Sequence, residues 1–121
     1  MTDARQELGK SGEELACHEL ISRGYAISAR RYRTRHGEID IVAEDGETVV
    51  FVEVKMKSSA DCGIAVESVT PWKQRRVVRM AVDYIARHRL HHRPIRFDVV
   101  AIDVVKGTPQ VTVIPAAFDA L

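Results

Sequence analysis

Two acidic residues and a lysine, Asp40, Glu53 and Lys55, stand in two short runs in which apolar and polar residues alternate. Two carboxylates, joined by a main-chain carbonyl such as that of Val54, form an oxygen ligand set that suits a hard divalent cation such as Mg²⁺ or Mn²⁺. Such a cation polarises a phosphate and lowers the pKa of a bound water. A nearby ammonium orients that water or balances the charge that builds on phosphorus. These residue types therefore suit metal-assisted hydrolysis of a phosphodiester.

The spacing predicts that the three side chains share one face of a β-hairpin. The two runs flank Asp45–Gly46, a dipeptide that favours a two-residue hairpin loop. If these two residues form the loop, Asp40 faces Phe51, and Glu53 is the diagonal neighbour of Asp40. Diagonal partners lie about 7–8 Å apart, close enough for two carboxylates to share a cation. Strand alternation places Lys55 on the same face.

The same residues also fit an ordinary amphipathic strand whose charges form an ion pair. Against this, Glu53 interrupts an apolar run and Asp40 stands between two isoleucines. An uncompensated charge in such a place is costly. Spacing alone leaves a metal site and a structural ion pair as equal alternatives.

The remaining pattern predicts the elements that position these residues. Apolar residues at helical spacing indicate a first helix at about residues 5–23, and Thr70–Pro71 starts a second helix that runs to about residue 90. Its apolar stripe comprises Val77, Val78, Ala81, Val82 and Ile85. Strands are expected from Tyr25 into an arginine cluster and at about residues 38–44, 47–57, 95–104 and 111–114. The order α-β-β-β-α-β-β predicts a single α/β domain over residues 1–121, with helices against a mixed sheet.

Composition is that of a folded globular domain. Of 121 residues, 45% are apolar and 29% are charged, which argues against disorder. No apolar run approaches the roughly 20 residues that span a membrane, and the start of the chain is polar. A cytoplasmic protein is therefore expected, with Cys17 and Cys62 as reduced thiols.

The net charge is +1, yet basic residues cluster at three places, around residues 30–36, 73–79 and 87–93. Such clusters can neutralise phosphates. A basic run is more often a solvated face or a helix end, so the clusters only support an interaction with nucleic acid.

Five successive blocks resemble the uncharacterised bacterial family called YraN-like and occur in that family's order. They span about residues 9–104 and read GKSGEELACHEL, RRYRTRHGEIDIVAED, VVFVEVKMK, VTPWKQRRVVRMAVDYI and RFDVVAI. That family is similar to archaeal Holliday-junction resolvases and to the PD-(D/E)xK nuclease superfamily. The resemblance implies a restriction-endonuclease-like fold. The superfamily motif begins Pro-Asp, whereas Ile39 precedes Asp40 here.

The resemblance also implies roles for particular residues. Asp40 and Glu53 match the metal-binding acids, Lys55 matches the motif lysine, and Glu13 matches a helix glutamate that resolvase-like members add to the site. Glu14 is an immediate rival of Glu13 for that role.

Lys73 or Gln74 matches a position from which related nucleases send a polar group inward, although either is equally well a surface helix residue. Arg31, Arg33 and Arg35 are candidate nucleic-acid contacts. No catalytic role is expected for Asp98.

The leading hypothesis is a nuclease that depends on Mg²⁺ or Mn²⁺ and acts on DNA, with branched or damaged structures among its candidate substrates. The alternatives are a nucleic-acid-binding module that does no chemistry and an interaction domain in which the triplet is an ion pair. A homodimer is expected by analogy with resolvases, and no membrane partner is expected.

Overall fold

The computed structural model describes residues 4–58 and 69–120, with side chains over residues 12–56 and 69–120; Cys62 lies outside these ranges. The observed order of elements, α-β-β-β-α-β-β, confirms the predicted α/β fold. The elements are α1 (Ala4–Ser22), β1 (Ala26–Thr34), β2 (Gly37–Asp45), β3 (Thr48–Ser58), α2 (Pro71–Arg87), β4 (Ile95–Val105) and β5 (Thr108–Phe118). Neither helix, within these ranges, is long and apolar enough to cross a membrane.

The five strands form one mixed sheet in the order β1-β2-β3-β4-β5. All neighbours are antiparallel except β3 and β4, which run parallel. Because parallel neighbours need a crossover connection, α2 lies between them in the chain. The last strand is longer than the predicted 111–114 and contains Pro109 and Pro115. Both are tolerated because β5 is an edge strand, where a missing N–H costs no ladder bond.

Alternating side chains of β3 feed two separate apolar layers. Val50 and Val52 pack with Leu20 of α1, whereas Val49 and Phe51 pack with residues of α2. The two helices therefore cover opposite faces of the sheet. Glu53 and Lys55 share the parity of Phe51, so both belong to the face that α2 covers.

The predicted hairpin register is wrong by one residue at the turn. Asp45 pairs with Thr48, so the loop is Gly46–Glu47 rather than Asp45–Gly46. Gly46 has φ +62°, which is the type II′ arrangement with glycine first in the loop. Val42 rather than Asp40 therefore faces Phe51.

The ladder between β2 and β3 ends at Ile41 and Val52. Asp40 and Glu53 are the next residues on their strands, beyond the last ladder pair, and both line one pocket.

The second helix begins as predicted, with the Thr70 hydroxyl accepting a hydrogen bond from the N–H of Lys73 at 3.3 Å. It ends at Arg87, and its buried stripe comprises Val77, Met80, Ala81, Tyr84 and Ile85. The assignment of Val82 to this stripe is wrong, because Val82 is 62% exposed. Helical spacing from Val77 selects positions three, four, seven and eight residues later, and Val82 is five residues later.

Candidate functional site

A pocket of about 250 Å³ opens where the pairing of β2 and β3 ends, between the sheet and α2. Its charged lining residues come from three elements that are distant in sequence. They are Glu38 and Asp40 from β2, Glu53 and Lys55 from β3, and Lys73 and Arg76 from α2. The carboxylate pair and the lysine from the hairpin therefore face one cavity.

Asp40 is held by the backbone of the neighbouring strand. One carboxylate oxygen, Oδ2, accepts a hydrogen bond from the N–H of Val54 at 2.8 Å. A side chain thus satisfies a strand N–H just beyond the last ladder pair. The N–H and C=O of one strand residue point to the same neighbouring strand, so the Val54 carbonyl is directed towards β2 as well. Asp40, Glu53 and Val54 line the same pocket.

Glu53 is buried, and the positive charge near it neutralises its carboxylate only in part. Only 9% of the residue is exposed, and Lys55 Nζ lies 3.9 Å from Glu53 Oε2. Burial, with the negative charge of Asp40 next, raises the pKa of Glu53 to about 7, although Lys55 and Lys73 act in the opposite direction. A buried carboxylate whose pKa is raised this far is under-neutralised, which is a common property of functional sites.

Asp40 responds in the same direction. Burial raises the pKa of Asp40, and the hydrogen bond from Val54 opposes that rise. Two neighbouring acids with raised pKa values would bind a divalent cation favourably, because the cation stabilises their ionised forms. The ligands are all oxygens, and Mg²⁺ takes one or two carboxylates and keeps several waters. The residues present therefore fit such an ion.

Lys73 faces the same pocket from the first turn of α2. The close approach of the Lys55 side chain, with its positive charge, lowers the pKa of Lys73. Two ammonium groups thus lie side by side next to the two acids. Gln74 is used elsewhere, because its side-chain amide donates to the carbonyl of Val69 at 3.0 Å. Of the two helix candidates, the structure places Lys73 at the pocket.

Glu13 lies near the acids but is engaged with an arginine. Its Oε2 accepts from Nε of Arg31 at 2.8 Å, and both border a separate shallow cavity. Its charge still contributes to the raised pKa of Asp40. Over the described side chains, no three His, Cys, Asp or Glu residues are grouped so that they could hold one ion. A role for Glu13 as a ligand stays a prediction, while Glu14 is exposed.

The candidate nucleic-acid arginines are dispersed around the pocket. Arg31 pairs with Glu13, and Arg33 pairs with Glu38 at 2.8 Å. Arg35 and His36 line a second cavity.

Arg76 is a pocket residue whose sequence position marks it only as part of a basic cluster. Its Nε donates to the carbonyl of His36 at 2.9 Å, and its guanidinium lies 5.0 Å from the ring centre of Trp72. The signal was its position three residues after Lys73, which places both on one helix face. A Cβ at Gly37 would collide with this guanidinium, so the glycine makes room for Arg76.

Asp98 lies outside the pocket and holds the fold together. It is fully buried and accepts hydrogen bonds from Tyr25, Arg96 and the N–H of Ala116 at 2.8–3.0 Å. Tyr25 packs in the layer under α1, the opposite face of the sheet from Glu53. These contacts give Asp98 a structural part in the fold.

The pocket residues all lie within a region that matches a known family. The model of the uncharacterised protein family UPF0102 matches residues 12–102. The chain belongs to the UPF0102 family. This finding confirms the resemblance to the YraN-like family that the sequence blocks indicated.

Relatives in the UPF0102 family match nearly the whole chain. A UPF0102 protein of Anaeromyxobacter dehalogenans is 49% identical over 97% of this chain and 87% of its own length. One from Dehalococcoides mccartyi is 42% identical over 94% of each chain. One from Myxococcus xanthus is 43% identical over 96% of this chain and 92% of its own. The domain described here is thus nearly the full extent of these proteins.

Proposed function

We propose that the protein is a divalent-metal-dependent nuclease that hydrolyses phosphodiester bonds in DNA. One observation carries the proposal: the partly buried Asp40 and the buried Glu53 line one pocket together with Lys55 and Lys73. A structural ion pair needs one acid and one base in contact, with no cavity. Here Lys55 Nζ lies 3.9 Å from Glu53 Oε2, which is a loose contact for an ion pair.

Asp40 and Glu53 would hold the cation, with the Val54 carbonyl as a third oxygen. A bound Mg²⁺ or Mn²⁺ supplies Lewis acidity towards a phosphate oxygen and a more acidic bound water. The Val54 N–H fixes Asp40 in place, so this ligand is held ready before the ion arrives. Preorganised ligands of this kind reduce the reorganisation that binding would otherwise cost.

Lys55 and Lys73 would bind the phosphate. Once a divalent cation neutralises the two acids, the adjacent ammonium groups are left with surplus positive charge. The mutual repulsion that lowers the pKa of Lys73 would be relieved by an anion between them. Lys55, next to Glu53, would position the attacking water or stabilise charge on phosphorus, and Arg76 adds a further positive charge at the wall of the pocket.

The test is cleavage of labelled DNA by the purified protein with Mg²⁺ or Mn²⁺, using duplex, single-stranded, flap and four-way-junction substrates. Cleavage is expected with at least one substrate, and chelation should abolish it. Lys55→Ala should remove cleavage, whereas Lys106→Ala, in the exposed turn between β4 and β5, is the matched control and should leave it intact. Failure on every substrate with both metals would refute the proposal.

Two further measurements separate the alternatives. A binding module without chemistry predicts that Asp40→Asn keeps full DNA affinity with and without metal. An interaction domain predicts no heat of Mn²⁺ binding in titration calorimetry. The proposed nuclease predicts Mn²⁺ binding that Asp40→Asn abolishes.

A further inference from the structure

A second cavity, about 620 Å³ in volume, lies along the exposed side of α2 and is open to solvent. We call it the α2 groove. Its basic lining residues are Arg35 and His36 from the β1–β2 turn region and Arg79 and Arg87 from α2. Exposed Val82 lies between them, so the groove combines basic groups with an apolar floor.

The α2 groove carries an excess of positive charge. Among the described residues that line it, the one acid is Asp83, which already accepts from the Tyr32 hydroxyl at 3.0 Å and pairs with Arg87 at 3.3 Å. Arg35 and Arg79 are exposed and, among the described residues, form no ion pair within 4.0 Å. An anionic polymer with an apolar component, such as a sugar–phosphate backbone, is complementary to this lining.

The groove adjoins the pocket that holds the acid pair. Arg76 lines the pocket, and its Nε donates to the carbonyl of His36, which lines the groove. From Arg76 to Arg87 the helix rises about 16 Å. At about 3.4 Å per nucleotide along one strand, that length corresponds to about five nucleotides.

We propose that the α2 groove binds the backbone of the DNA strand for about five nucleotides to one side of the scissile phosphate. Arg35, Arg79 and Arg87 contact successive phosphates, and Val82 contacts deoxyribose between them. The assignment of the scissile phosphate rests on the proposed nuclease function. The groove itself requires only that DNA binds, with or without cleavage.

The first experiment measures DNA affinity by fluorescence anisotropy in EDTA, so that no cleavage occurs. Arg79→Ala should weaken binding by about threefold or more and reduce the salt slope by about one ion. Arg75→Ala is the matched control, because Arg75 lies on the same helix outside the groove and loses the same charge. It should stay within about twofold of the unchanged protein.

A second pair of variants probes the floor of the groove. Val82→Asp places a negative charge among the arginines and should weaken binding at least as much as Arg79→Ala. Val105→Asp makes the same change at an exposed valine at the end of β4 and should have little effect. Both positions are exposed, so both variants are expected to fold, and unchanged melting temperatures would verify this.

The third experiment shortens the two arms of a DNA oligonucleotide one nucleotide at a time. Affinity should fall when one particular arm becomes shorter than about five nucleotides, and Arg79→Ala should flatten this dependence. Equal affinities of the Arg79→Ala and Arg75→Ala variants, no dependence on arm length, or no DNA binding by the unchanged protein would each overturn the inference. Binding through the groove without any cleavage would instead refute only the nuclease.

Discussion

Replacing Glu53 by glutamine should make the protein more stable at alkaline pH while removing one acid of the candidate metal site. The substitution keeps the shape of the side chain but removes a charge that the fold buries. Burial raises the pKa of Glu53 from 4.5 to about 7. At about 1.4 kcal/mol per pH unit, the ionised form costs the folded protein about 3 kcal/mol.

The sign follows from proton binding. The pKa is higher in the folded state, so between about pH 4.5 and 7 the folded protein holds more protons than the unfolded chain. The contribution of Glu53 to the free energy of unfolding is therefore fully present below this window and lost as the pH rises through about 7. At about pH 8, Glu53→Gln should exceed the unchanged protein in stability by up to about 3 kcal/mol. At about pH 5 the difference should fall below about 1 kcal/mol, because Glu53 is then largely neutral in the folded protein.

The assay is urea unfolding at both pH values in EDTA, repeated with Mn²⁺. Saturating metal should raise the stability of the unchanged protein by about 3 kcal/mol at a hundredfold excess over Kd, and should not stabilise Glu53→Gln. Glu19→Gln is a suitable control, because Glu19 forms an exposed helical ion pair with Arg23. Loss of that pair should change stability by less than about 1 kcal/mol at either pH.

The opposite sign would refute the reasoning. If the triplet were a stabilising ion pair, Glu53→Gln would leave Lys55 without its partner and would destabilise the protein at alkaline pH in EDTA. The experiment thus distinguishes a metal site from a structural ion pair, which spacing alone leaves as equal alternatives.

Three other substitutions test how the fold supports the site. Gly37→Ala should lower stability by about 1–3 kcal/mol and weaken Mn²⁺-dependent cleavage, because φ is +131° and the new Cβ meets the Arg76 guanidinium; unchanged melting and activity would contradict this. Asp98→Ala should lower the free energy of unfolding in urea by about 3–5 kcal/mol, since it removes the buried acceptor of several hydrogen bonds. Asp45→Ala, at the exposed end of the same network, should lower it by less than about 1 kcal/mol. Thr70→Ala should cost about 1 kcal/mol by removing the N-cap of α2, and a loss below a few tenths would count against that cap.

Local signals in the sequence determine the elements and the shared face of the site. Strand alternation has a period of two, so Glu53 and Lys55 lie on one face whichever register the hairpin adopts. Helix capping is equally local, and Thr70 and Pro71 begin α2 as their side chains require. For this reason the order of the elements could be predicted without knowledge of any distant contact.

The tertiary structure decides which distant groups meet the acids. The positive φ of Gly46 moves the loop by one residue and the cross-strand partners by two, and Asp40 and Glu53 both line the pocket where the pairing ends. The parallel pairing of β3 with β4 depends on how α2 crosses the sheet, and that crossover carries Lys73 and Arg76 to the pocket. The pairing of Glu13 with a β1 arginine is likewise a long-range contact.

The sequence thus determines that the residue types of Asp40, Glu53 and Lys55 come together on one face of the hairpin. Whether their charges are exposed or buried depends on α2, which covers that face and removes water from it. Burial is a property of the packed layers, and it is burial that raises the pKa of Glu53 and makes the acid pair a candidate metal site.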